Sequence, residues 1–193
     1  MGSSGWDAIF ASREFQFNRK PNEFLAEVAK ALTPGKALEI GAGQGRNAIY
    51  LAQQGWDVTG VDSSAEGIGQ ARQRSDELGV EPHWVQQPIE AFDMGHERWD
   101  LIAGIYVHGV VLRQSERIVQ ALKPGGVLVV EGFHRDVMKL GVETLDGGLL
   151  GYKTNALPRH FLALRIERYE DRLAFGDWQN RETPIVRLLA RKE

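Results

Sequence analysis

Apolar positions along this chain fall into two rhythms, short continuous runs and stripes at helical spacing, and the two alternate. The runs lie at residues 38–40, 58–61, 82–87, 99–107 and 127–132. The fourth, WDLIAGIYV, is nearly unbroken, as in a strand covered on both faces. Between the runs, Phe24, Leu25, Val28, Ala29 and Leu32 share a helical face that starts behind Asn22 as N-cap and stops at Pro34-Gly35. Ala48, Ile49, Leu51 and Ala52 mark a second helix ended by Gly55. Ser63 and Glu66 fit a capping box ahead of Ile68, Ala71, Ser75 and Leu78. Further helices are expected over residues 113–122 and 155–164.

Strands alternating with helices in this way predict a parallel α/β sheet with right-handed crossovers. Residues 164–175 and 183–190 alternate in period two and predict an antiparallel hairpin at the sheet edge, joined through Gly176-Asp177-Trp178. The expected architecture is Rossmann-like: doubly wound, mostly parallel, with that antiparallel C-terminal edge hairpin. A single domain is expected over 1–193, with an N-terminal helical segment at 1–33, a core at 36–133 and a variable part at 134–193. Within the variable part, residues 137–152 carry four glycines and little periodicity, which suits a loop that walls a site.

The stretch ALEIGAGQGRN, residues 37–47, adds chemistry. Leu38 and Ile40 give a buried strand, Gly41, Gly43 and Gly45 a tight turn, and Arg46-Asn47-Ala48-Ile49 the start of a helix. Such a turn lets backbone run against a ligand where a Cβ would collide, and the helix start offers free N–H groups to a polar or anionic group. The spacing is Glu39-x-Gly41-x-Gly43-x-Gly45, with Arg46 where a dinucleotide fingerprint has its third glycine. That counts against a nicotinamide cofactor. Asp62 closes the next strand, about twenty residues on, where a carboxylate can bind two ribose hydroxyls.

EIGAGQG followed by GVD resembles motif I and the following acidic residue of class I S-adenosylmethionine-dependent methyltransferases, and LKPGGVLVVEGF resembles the turn and fifth strand of that fold. PNEFL and GRNAIYLA are similar to the small bacterial methyltransferases related to tellurite-resistance and thiopurine methyltransferases. The resemblance runs from Trp6 to about Phe133 and is loose beyond. It implies S-adenosylmethionine as cofactor, S-adenosylhomocysteine as product and a small-molecule methyl acceptor. It also implies cofactor contacts from Glu39, Gly41, Ala42, Gly43, Gly45, Arg46, Asn47, Asp62, Ser63 and Ile105. The family places an acid after the third strand for adenine; here Gln87 or Pro88 stands there, with the Ile89 N–H within reach of a ring nitrogen and Glu90 and Asp93 as alternatives that otherwise read as solvated loop acids. Trp6, Ile9, Phe10, Phe15 and Phe17 read either as a helix face against the sheet or, by the resemblance, as a lid whose aromatics, Trp6 and Phe17 among them, lie near the sulfonium.

Tyr106 and His108 at the end of the fourth strand, and His134 after the fifth, are the candidate catalytic groups, His108 as a base or as a hydrogen-bonding group. With 193 residues, a formal charge of −3 and no cysteine, the chain offers no attraction for nucleic acid, no thiolate metal site and no cysteine nucleophile. No apolar run spans a membrane. A cytoplasmic enzyme, monomeric or weakly dimeric, is expected. A nicotinamide-dependent oxidoreductase and a cofactor-binding protein without catalysis are the alternatives.

Overall fold

The computed structural model describes residues 3–12, 18–140, 151–177 and 181–193, and divides into two compact units, Met1–Asp93 and Met94–Glu193. The strands and helices have the Rossmann-like α/β character expected from the pattern: seven strands among the described residues, mostly parallel, with an antiparallel pair at the edge.

In the first unit, helix α1 (Ser3–Ala11) and α2 (Glu23–Lys30) precede strand β1 (Lys36–Ile40). Asn22 caps α2 as anticipated, its side chain accepting the Leu25 N–H. Helix α3 (Arg46–Gln53), β2 (Asp57–Asp62), α4 (Ala65–Leu78) and β3 (His83–Gln86) follow. The three strands are parallel in the order β3-β2-β1, and Ile40 lies beside Val61. That register brings Gly41, the next residue, to the end of β2, where its N–H meets the Val61 carbonyl at 2.8 Å.

Helix α4 starts one residue later than the capping-box pattern suggested. Ser64, not Ser63, is the N-cap, accepting the Gly67 N–H. The chain bends at Ser63, and the Ser64 N–H is held by Asp62 Oδ1 at 2.8 Å, which leaves Ser64 to cap the helix. Leu78, expected on the buried face, is 47% exposed.

The second unit contains β4 (Trp99–Ile105), α5 (His108–Arg113), α6 (Ser115–Ala121), β5 (Leu122–Phe133), a 3-10 turn over Arg135–Leu140, α7 (Ala156–His160), β6 (Arg165–Gly176) and β7 (Arg181–Arg191). β4 and β5 are parallel, and β5-β7-β6 are antiparallel. Leu101, Ile102, Leu128 and Val130 are fully buried, each side chain contributing about 1.5–3 kcal/mol.

Three expectations are corrected here. β4 ends at Ile105 rather than residue 107, because Tyr106 takes φ +59 and turns the chain out of the extended path. The following helix therefore starts at His108, not at Arg113. Gly109 and the β-branched Val107, Val110 and Val111 disguise it, since their intrinsic preference is not helical. The last helix is also shorter than 155–164, with Asn155 as its N-cap in the left-handed region. Phe15, Phe17, Trp178 and residues 141–150 of the expected wall loop lie outside the described residues.

Candidate functional site

The first unit builds a polar cradle around its glycine turn. Gly41, Gly43 and Gly45 all have positive φ, +71, +50 and +77. Gly43 donates its N–H to Asp62 Oδ2 at 2.8 Å while Oδ1 takes the Ser64 N–H at 2.8 Å. The Asp62 carboxylate is thus fixed by backbone donors, the Gly43 and Ser64 amides and also that of Ser63. Burial raises the Asp62 pKa against these hydrogen bonds.

Glu39 lies beneath the turn, 2% exposed. Its Oε1 accepts from Asn47 Nδ2 at 2.7 Å and its Oε2 from the Ala48 N–H at 2.8 Å. Asn47 in turn accepts the Asn22 N–H at 2.8 Å, which ties the start of α3 to the start of α2. Desolvation pushes the Glu39 carboxyl up to about 7, against the pull of those two donors. Glu39 and Asn47 therefore shape the turn from below. Helix α3 has Gly45 as N-cap without a side-chain cap, and in its first turn Glu39 takes the Ala48 N–H. Ala42 is buried and Arg46 half-buried, the Arg46 guanidinium donating to the Lys20 carbonyl at 3.3 Å.

Two of the glycines are explained by neighbouring side chains. A Cβ on Gly45 would lie 2.5 Å from the Trp84 ring, and one on Gly60 also 2.5 Å from it, so both positions admit Trp84 of β3 beneath the turn. Above the turn, Phe10 of α1 lies 3.0 Å from where a Gly43 Cβ would be and 3.0 Å from that of Gly67. Phe10 thus packs on the turn and α4 rather than on the sheet. Trp6 stacks on it with centroids 5.7 Å apart.

Asp7 anchors the same helix. It accepts the Ser64 hydroxyl at 2.5 Å and the Glu66 N–H at 3.1 Å, and the Ser64 hydrogen bond holds its carboxyl below the usual range. Nothing in the sequence pattern singles out Asp7. Of the remaining expected contacts, Ser63 and Gln87 are half-buried, Pro88 exposed and Ile89 buried, with the Gln87 N–H on the Asp62 carbonyl at 2.9 Å. Phe17 lies outside the described residues.

The second unit gathers the other candidates around the end of β4 and β5, where Ile105 is buried and pairs with Glu131. His108 is 8% exposed, and its Nε2 accepts the Phe133 N–H at 2.8 Å. A ring nitrogen that accepts carries no proton, so the neutral imidazole holds its proton on Nδ1. Burial lowers the His108 pKa to about 4. A Cβ on Gly132 would lie 2.5 Å from His108 Nε2, which explains the glycine inside β5.

His134 is arranged alike with the nitrogens exchanged. Nδ1 accepts the Asp136 N–H at 3.2 Å, leaving Nε2–H for Thr154 Oγ1 at 3.1 Å. Both histidines thus have their lone pair turned to a backbone amide. Tyr106 Oη donates to Glu131 Oε1 at 3.0 Å, and Glu131 Oε2 accepts from Arg187 Nε at 2.6 Å. Glu131 and Arg187 did not figure in the sequence reading. The available signal was a lone carboxylate inside the apolar run VLVVEGF.

Residues 37–126 match the family described as Methyltransferase domain. Over those residues the chain is similar to methyltransferase domains. It is 31% identical over 129 residues to the uncharacterized methyltransferase sll0829 of Synechocystis, covering 63% of this chain and 56% of that protein. The probable S-adenosyl-L-methionine-dependent methyltransferase TehB of Haemophilus influenzae is 28% identical over 120 residues, 60% of this chain and 41% of TehB. This supports the resemblance to the tellurite-resistance group. The chain spans about half the length of the first curated relatives it matches. Among solved structures, one described under the conversion of a disulfide bond into a thioacetal group during echinomycin biosynthesis superposes with TM-score 0.75 and 19% identity, covering 99% of this chain and 93% of that one. It shares the fold. Among the described residues no helix is long and apolar enough to cross a membrane.

Proposed function

We propose that this chain transfers a methyl group from S-adenosylmethionine to a small-molecule nucleophile. The observation that carries the reading is Asp62, a carboxylate oriented by the Gly43, Ser64 and Ser63 amides at the end of β2 beside the glycine turn. That carboxylate takes the ribose hydroxyls. Gly41, Ala42 and Gly43 supply the close backbone, and the first turn of α3, Arg46 and Asn47, supplies N–H groups. Glu39 holds the turn from beneath. Gln87, Pro88 and Ile89 take the adenine, with Ser63 alongside, and Trp6 closes from α1. The sulfonium cofactor, when bound, supplies an electrophilic methyl group. The protein's part is alignment, which in favourable cases removes roughly 7–11 kcal/mol of a barrier.

Tyr106, His108 and His134 receive the acceptor. His108, neutral and protonated on Nδ1, serves as a hydrogen-bond donor to it rather than as a base. The nicotinamide alternative is disfavoured by Arg46 in place of a third glycine and by the matched family. The test is a screen for S-adenosylhomocysteine release across thiols, metalloid oxyanions, halides, phenols and amines, with cofactor titration alongside. Release with at least one class is expected. Binding of NADH in place of S-adenosylmethionine refutes the reading.

A further inference from the structure

A ladder of alternating charge crosses the three antiparallel strands of the second unit and ends on Tyr106. Glu131 on β5 pairs in register with Arg187 on β7, and Arg187 with Glu170 on β6. Arg187 Nε lies 2.6 Å from Glu131 Oε2, and its Nη1 3.5 Å from Glu170 Oε2. Glu131 is wholly buried, so burial of its charge requires such partners. Tyr106 is bound to Glu131 twice, by its N–H on the Glu131 carbonyl at 2.7 Å and by its hydroxyl on Oε1 at 3.0 Å.

These bonds hold a bulky residue at φ +59, a strained conformation that persists where its surroundings over-determine it. An ionised carboxylate has no proton to give. The Tyr106 proton therefore points at Glu131, and the phenolic oxygen faces any further partner with lone pairs.

We propose that Tyr106 and Glu131 form a proton relay, and that the methyl acceptor is a protic nucleophile, a hydroxyl-bearing compound, rather than an oxyanion or a thiolate. This rests on the methyltransferase reading above. The acceptor X–H donates to Tyr106 Oη. As the X–CH3 bond forms and the methyl carbon parts from sulfur, which keeps the electron pair, the X–H proton passes to Tyr106 Oη. The phenolic proton then passes to Glu131 Oε1, and after the methylated product leaves it returns through the Tyr106 hydroxyl to solvent entering in the product's place. Tyr106 is the catalytic residue. Glu131 is a positioning residue acting through it, and Arg187 keeps Glu131 ionised between turnovers. Neither histidine competes for the role, since each has its lone pair on a backbone N–H.

The test compares phenol, protonated at neutral pH, with thiophenol, largely its thiolate there, as acceptors for wild type, Glu131→Gln, Glu131→Asp and Tyr106→Phe. Tyr106→Phe leaves the Glu131–Arg187 pair intact should Glu131→Gln fail to fold. Expected is a loss of about 10²–10⁴-fold in phenol turnover for Tyr106→Phe and Glu131→Gln. Thiophenol turnover stays within about tenfold, and Glu131→Asp recovers part of the phenol rate. Equal losses with both acceptors, an unaffected phenol rate, or a wild type that binds cofactor yet methylates only thiophenol or neither compound overturns the relay. A wild type that does not bind S-adenosylmethionine instead overturns the reading beneath it.

Discussion

Glu39 gives the sharpest thermodynamic prediction. Its carboxyl is buried, accepts two hydrogen bonds, and has its pKa raised from 4.5 to about 7, chiefly by desolvation. The native state therefore binds a proton that the unfolded chain has lost over the interval between those values. Where the native state holds more protons, stability falls as pH rises. Integrated over that interval, the linkage predicts a loss of about 2.5 kcal/mol between roughly pH 5 and pH 8. Glu39→Gln cannot titrate, so its own stability lacks this component. Its amide offers one acceptor where two donors, Asn47 Nδ2 and the Ala48 N–H, now converge, which costs about 1–3 kcal/mol at low pH. The difference between wild type and variant should therefore narrow as pH rises. Urea unfolding of both proteins at four pH values across that range measures it. Parallel pH profiles would refute the argument and place Glu39 among ordinary, low-pKa carboxylates.

Other expectations follow from the same contacts. Gly60→Ala drives a Cβ to 2.5 Å from the Trp84 ring and should lower stability by about 1–3 kcal/mol in chemical denaturation, with cofactor affinity little changed in the protein that remains folded. Ser64→Ala removes the cap of α4 and the hydroxyl partner of Asp7, a loss of about 1 kcal/mol or more. Proteolysis of the N-terminal segment should accelerate in that variant. In nitrogen-15 spectra the His108 ring should show the Nδ1–H tautomer and stay neutral well below pH 6; an Nε2–H signal, or titration near 6.5, would contradict the Phe133 hydrogen bond.

The first half of the fold was legible because its signals are local. The run ending at Ile40, the three glycines and the Asn22 cap each rest on short-range rules of burial, positive φ and capping. The hairpin of β6 and β7 was equally readable from its alternation. The misreadings lie where distant contacts overrule local preference. Ser64 displaced Ser63 as cap because Asp62 claims its amide, and Tyr106 ended β4 early because Glu131 holds it in a left-handed turn. For the site, Asp62 was visible from its spacing to the glycines, whereas Arg187 was not. Arg187 reaches Glu131 only through strand pairing across 56 positions of sequence, which no periodicity reports.

The central claim is that the crevice of the first unit grips an adenosyl cofactor through the Asp62 carboxylate. Calorimetric titration of wild type and Asp62→Ala with S-adenosylhomocysteine tests it most directly. Saturable binding by the wild type, weakened at least tenfold in the variant with its thermal unfolding still cooperative, is the predicted result. Equal affinity in the two proteins, or no binding by the wild type, contradicts it.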